Sequence, residues 1–218
     1  MNYEDKKQGY YGNVRHDLIT FFGNFKGMKV LEVGAAYGET LYYIKQHKEA
    51  SEVVGVELFK DLKNIEKYKK LDDLIFGDIS NINLSNYKNY FDLIILADVI
   101  EHINEPLPVL EKLKSLLKDD GKILISLPNI RHYSAFVKIF LKGSFEYEDN
   151  GIFDYTHARF YCKKDMVKLA NKANLKLKKS EGSIKKYKAS SIAKIINKCT
   201  LGYFEEFFSV QNYFIFSK

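Results

Sequence analysis

An apolar run that ends in an acid and breaks at once into small residues constrains this chain more than any other stretch: VLEVGAAYGET, Val30–Thr40. Val30 to Val33 read as a buried strand, and Gly34, Ala35, Ala36 and Gly38 as a sharp turn from that strand into a helix. Glycine reaches φ > 0 without steric cost and carries no Cβ to keep a ligand away from the backbone. The first N–H groups of the helix that follows have no partner within it and point at whatever binds there.

The rest of the chain repeats this unit. After the strand at 28–33 and its helix at 38–48 come a short apolar run at 53–57 ending in Glu57, a Lys-rich segment at 60–70 read as a helix, and a strand at 74–76 leading into Asp78. FDLIILA, 91–97, is continuously apolar, as a strand covered on both faces must be. Asn104 reads as the N-cap of a helix reaching about 117, with Glu105, Pro106 and Pro108 in its first turn. KILISLP, 122–128, is then the fifth strand. Alternation of this kind predicts an α/β fold: a Rossmann-like, doubly wound, mostly parallel sheet with helices on both faces. Strands near 175–180 and 207–216, with a helix at 188–199 between them, complete seven strands as an antiparallel pair at the edge. Residues 130–162 are too long for a plain connector, and insertions of that size carry function. The helix-like spacing at 14–24 places a cap over the site.

In an open α/β sheet, ligands sit beyond the carboxyl ends of the strands. A dinucleotide fingerprint G-x-G-x-x-G would place glycines where this chain has Gly34, Ala36 and Glu39, so a dehydrogenase is disfavoured. Each strand instead delivers an acid: Glu32, Glu57, Asp78 and Asp98. Glu57, 19 residues beyond Gly38, suits a ribose diol, because a carboxylate accepts from both hydroxyls.

The pattern Glu32-x-Gly34-x-Ala36-x-Gly38, with these acids, resembles the first motif of the class I S-adenosylmethionine (SAM) methyltransferases over about residues 28–127. The resemblance implies SAM as cofactor. Gly34, Ala35, Ala36 and Tyr37, with Gly38 behind them, line its methionine end; Glu57 and Leu58 take the ribose, Asp78 and Ile79 the adenine, and Ala97 and Asp98 the face of the transferred methyl. Ala36 stands where glycine is usual, which a negative φ would tolerate.

ADVIEHINEP, Ala97–Pro106, resembles the strand-four motif of small-molecule methyltransferases and brings His102 to the acceptor as a candidate general base. The segment GSFEYEDNGIFDYTHARFY resembles a subgroup associated with bacterial surface-polysaccharide and sugar modification. Within it His157 is a second candidate base, which Asp154 can orient, and Arg159 can hold a phosphate or carboxylate of the acceptor; His132, four residues after Pro128, is a further acceptor-side candidate. The competing reading of the segment is an internal network in which Thr156 and Arg159 bond backbone carbonyls. O-methylation of a sugar or nucleotide-linked glycan precursor for surface polysaccharide is the leading expectation, with no metal. The alternatives are a quinone-like metabolite, a non-catalytic SAM-binding partner protein, and a terminal RNA ribose. For the last, Asp98–His102 resembles the glutamate-and-histidine loop of RNA 3′-terminal 2′-O-methyltransferases, with a cation held there together with His132 or His157.

At 218 residues the chain is long enough for one large core, expected as a single domain over 1–218. No apolar run approaches the roughly 18 residues that span a bilayer, no signal-peptide pattern opens it, and Cys162 and Cys199 lack metal-ligand spacing, so a cytoplasmic location is expected. The net charge of +6 is uneven: residues 160–218 hold 13 Lys against 4 acids. That basic third is a solvated face or a docking surface for an anionic partner such as a nucleotide-sugar or a membrane surface. Few aromatics interleave with Lys176–Lys188, which argues against RNA.

Overall fold

The computed structural model describes residues 12–185 and 191–218. A short helix, α1 (His16–Phe22), precedes the sheet. Then follow β1 (Lys29–Val33), α2 (Glu39–Lys48), β2 (Glu52–Glu57), β3 (Asp73–Phe76), β4 (Phe91–Ala97), α3 (Pro106–Leu116) and β5 (Leu117–Pro128). Beyond these lie α4 (Tyr133–Phe136), α5 (Lys163–Lys172), β6 (Lys176–Gly182), α6 (Ser191–Cys199), α7 (Glu205–Phe208) and β7 (Gln211–Ser217). The seven strands pair in the order β3-β2-β1-β4-β5-β7-β6, so the expected sheet is present. β7 is the reversed strand, antiparallel to both β5 and β6.

The strand sequences alternate between two cores. Leu31, Val33, Ile94, Leu96, Ile123 and Ile125 face one cluster, which α3 and α5 cover with Val109, Leu113, Met166 and Ala170. Val30, Leu93, Ile95 and Leu124 face the other, covered by Leu18 and Phe21 of α1 and by Leu41 and Ile44 of α2. A period of two on strands buried on both faces leaves no polar side, hence the unbroken apolar runs.

Two local expectations need correction. The 60–70 segment is a short 3-10 turn, Leu62–Lys67, interrupted at Asn64 (φ −127°). Leu62 and Ile65 are exposed, so the segment has no apolar stripe with which to dock a longer helix. The residue flanking α3 is Glu105, without a side-chain cap, and Asn104 lies outside the helix. Pro106 at the first helical position lacks the N–H that a cap would satisfy. No helix among the described residues is long and apolar enough to cross a membrane. Lys186 and Lys188 of the basic stretch, and the start of the helix expected at 188, lie outside the described residues.

Candidate functional site

β1 lies between β2 and β4, so the strand order switches direction there, and the crevice beyond such a switch is where ligands bind. Gly34 turns out of β1 at φ +73°, and a Cβ on it would meet Val99 Cγ2 at 2.7 Å, so this position needs glycine. Ala36 has φ +50°, against the negative value that would make its methyl harmless. It accepts the left-handed conformation because its N–H donates to Glu57 Oε2 at 2.8 Å. Glu57 Oε1 takes a second N–H, from Phe59, at 3.2 Å, and each oxygen keeps capacity for a hydroxyl donor.

Gly34, Ala35, Ala36, Glu32, Glu57, Leu58, Asp78, Ile79, Ala97 and Asp98 all line one cavity of about 1780 Å³. Tyr37 and Gly38 do not. Tyr37 turns away and donates from its hydroxyl to Asp61 at 2.8 Å. Gly38 (φ +84°) sits against Leu71, where an added Cβ would come within 3.0 Å. Asp78 lines the wall with its carboxylate engaged by Ser80 N at 2.8 Å and Asn81 Nδ2 at 3.1 Å.

The electrostatics of this end centre on Arg15, which the sequence did not single out. Its guanidinium bonds Asp98 at 2.6 Å and Asp17 at 2.8 Å, and reaches Ser126 Oγ at 3.2 Å. Gln211 Nε2 donates to the same Asp98 at 2.9 Å, and the Tyr213 hydroxyl to Asp17 at 3.2 Å. Burial pushes Glu32 up to about 8, with neighbouring Glu57 adding to the rise and Arg15 opposing it. Oε2 of Glu32 has no hydrogen-bond partner among the described residues. A buried carboxyl with an unpartnered oxygen, lining a cavity, suits a cationic ligand.

At the other end, the loop after β4 carries Glu101 and His102, and residues 154–159 pack behind it. Backbone N–H groups of Ala158 and Arg159 donate to Glu101 O at 2.9 and 3.0 Å. His102 Nδ1 donates to Thr156 O at 3.0 Å. Thr156 donates from N and Oγ1 to Asp154 at 2.9 and 2.6 Å. His157 Nδ1 donates to Ile152 O at 3.0 Å, so a backbone carbonyl, rather than Asp154, is the acceptor at that atom. In both histidines this tautomer leaves the lone pair on Nε2. The rings meet edge to face at 4.8 Å. Both Glu101 oxygens are buried without a hydrogen-bond partner among the described residues, and burial, helped by Asp98, holds this carboxyl well above the usual carboxylate range.

Of the residues expected to act on the acceptor, His102 and His132 line the cavity, whereas Asp154, His157 and Arg159 do not. Arg159 donates through Nε and Nη2 to Asn104 O, which matches the internal-network reading of this segment. His132 opens α4, its Nδ1 pairing with Ser134 Oγ at 2.8 Å, and burial lowers its pKa. The insertion covers the site through its first half. Tyr133, Phe136, Val137 and Leu141 line the cavity, faced by Ile192 and Ile196 of α6 and Phe207 and Phe208 of α7. The cavity exceeds the roughly 300–1,000 Å³ of a single ligand pocket, so it has room for two molecules side by side. One half is acidic and glycine-lined, the other apolar.

A model of the methyltransferase domain family matches residues 7–180. A ubiquinone biosynthesis O-methyltransferase of Xylella fastidiosa is 27% identical over 150 residues, which span 62% of this chain and 60% of that protein. The fold matches a SAM-dependent methyltransferase of Archaeoglobus fulgidus with a TM-score of 0.63, at 18% identity and covering 93% of this chain and 92% of that one. It also matches a complex between the Haloferax volcanii Trm112 methyltransferase activator and a methyltransferase (TM-score 0.66, 12% identity, 95% and 89% coverage).

Proposed function

The chain belongs to the methyltransferase domain family and uses SAM, and from that premise we propose that it methylates a hydroxyl oxygen on a small acceptor with an apolar body. The observation that carries this reading is the lining of one cavity: His102 shares it with the acidic, glycine-bearing strand ends and with the apolar side chains of Phe136, Leu141, Ile196 and Phe207.

The residues of the first half fit SAM. Glu32 and Asp98 supply negative charge for its cationic groups, Arg15 a cation for its carboxylate, Glu57 acceptors for the ribose diol, and Ile79 an apolar surface for adenine. SAM, when bound, supplies a methyl already activated on a sulfonium, so holding the acceptor in line provides a large share of the rate.

A hydroxyl must also lose its proton as it attacks. His102, which lines the cavity, offers its Nε2 lone pair for this, and Thr156, held in turn by Asp154, fixes the ring. Phe136 and Leu141 offer the acceptor half an apolar surface that is exposed in the ligand-free chain. The apolar wall supports the quinone-like alternative over a sugar, which would meet few polar partners there. The X. fastidiosa relative, named as a ubiquinone O-methyltransferase, supports the same reading.

The test is methyl transfer from isotopically labelled SAM to a panel of phenolic and hydroxyquinone acceptors beside nucleotide-sugars. Turnover on the first group, reduced about 10²–10⁴-fold in His102→Ala with SAM binding intact, is expected. Full turnover in that variant would overturn the role of His102, and exclusive use of nucleotide-sugars would overturn the apolar acceptor.

A further inference from the structure

Glu101, His102 and His157 bring one donor atom each within 4.8 Å of one another, and neither Glu101 carboxylate oxygen has a hydrogen-bond partner among the described residues. We infer that these three side chains bind a divalent first-row transition cation, and that His102 acts on the acceptor through it. The inference rests on the O-methylation reading only for its mechanistic consequence; the binding claim stands on the cluster itself.

Three observations converge. Glu101 is 2% exposed, and both its oxygens lack a hydrogen-bond partner among the described residues. Burying a carboxylate without compensation is costly, and a cation supplies the missing partner. His102 and His157 each donate Nδ1–H to a backbone carbonyl, of Thr156 and Ile152. A ligating imidazole is held the same way, with its other nitrogen bonded to a carbonyl or carboxylate. The two histidines come from segments 55 residues apart that pack together through the Glu101 carbonyl, so the insertion completes the cluster.

Two imidazoles and one carboxylate suit zinc-like cations better than magnesium or calcium, and such a set leaves coordination positions open. Ligand atoms about 2.1 Å from one ion lie roughly 3.0–3.4 Å apart, so the donors close by up to about 1.5 Å on binding. Of the three side chains His102 lines the cavity, which puts the cation beside the acceptor half. A hydroxyl bound there is acidified by the cation. Its proton passes to solvent water, its oxygen forms the new bond to carbon, and the methyl–sulfur bond breaks to leave a neutral thioether.

The experiment titrates Co²⁺ into the chelator-treated full chain and reads visible absorption and melting temperature. About one equivalent binding with a low-symmetry d–d band, and a melting point raised by the metal, are expected. Glu101→Gln, close in shape and free of the buried charge, should still fold without metal yet lose the band and the metal-induced rise. His157→Ala should lose the band as well. Absence of binding, as a protonated and dry Glu101 requires, would overturn the inference, as would undiminished binding in Glu101→Gln. SAM binding and methyl transfer measured on the same samples keep the two readings apart. Turnover insensitive to chelator would overturn the cation's part in catalysis and leave His102 as the direct base, while cobalt binding without turnover leaves the site standing and the acceptor class wrong.

Discussion

Glu32→Gln tests the charge logic of the cofactor half. Glu32 is 3% exposed, and burial lifts its pKa from 4.5 to about 8. At about 1.36 kcal/mol per unit, ionised Glu32 costs the ligand-free fold on the order of 5 kcal/mol. The unfolded chain releases this proton near 4.5 and the folded chain near 8. Between these values the unfolded state binds fewer protons, so stability falls as pH rises and the whole penalty is present above about 8. Glutamine has no proton to lose, but its amide hydrogens meet the same dry surroundings, a cost of roughly 1–3 kcal/mol at every pH. The variant should therefore melt below the native chain at about pH 5 and above it at about pH 9. For a chain of this size each kcal/mol is about 2–4 °C. A cationic ligand favours the carboxylate, so SAM binding to the native chain should release a proton and tighten from about pH 5 to 8. The variant should bind about 10–100-fold more weakly and show a flatter pH dependence, since a hydrogen bond to a charged group contributes about 1.5–3 kcal/mol. Thermal melts at the two pH values, and calorimetry in buffers of different ionisation enthalpy, read these directly. Parallel melting curves for the two proteins, or a native SAM affinity indifferent to pH, would refute the reasoning.

Ala36→Gly should raise stability slightly: alanine at φ +50° carries about 1–2 kcal/mol of steric cost, offset in part by the roughly 0.4–1 kcal/mol of extra freedom that glycine gains on unfolding. A fall in melting temperature would mean that the methyl packs usefully. Arg159→Ala removes the guanidinium that bonds Asn104 O, so it should loosen the loop after β4 and lower kcat by about threefold or less with acceptor KM nearly unchanged. A tenfold rise in that KM would instead show that Arg159 grips the acceptor.

The strand ends were readable because a parallel sheet buried on both faces forces unbroken apolar runs, and whatever polar residue ends each run stands at the crevice. Glu32, Glu57 and Asp98 are placed by that rule alone. Tyr37 was not, because one residue of turn decides whether a side chain faces the cavity or Asp61, and the sequence does not fix the sign of φ at Ala36. The polar density of Asp154–Arg159 marked it as special without saying which way it faced. Its groups turn inward to brace the Glu101 loop instead of lining the pocket. Arg15 could not be placed at the crevice from its neighbourhood: Asp17 is two residues on, but Asp98 lies 83 residues away and only the folded sheet brings it there.

The reversal of β7 gives the site an order of assembly. Tyr213 on β7 bonds Asp17 across 196 residues of sequence, and Gln211 bonds Asp98 across 113, both at the Arg15 cluster. Contacts so distant in sequence pay their loop-closure entropy late. During synthesis, Gly34, Glu57 and Asp98 emerge long before the strand that steadies Asp98 does. A growing chain can thus hold most of the residues that would touch SAM while the charge network around them is still open. The cofactor half should become competent in one late step, when β7 slots between β5 and β6, so that binding of SAM reports completion of the sheet.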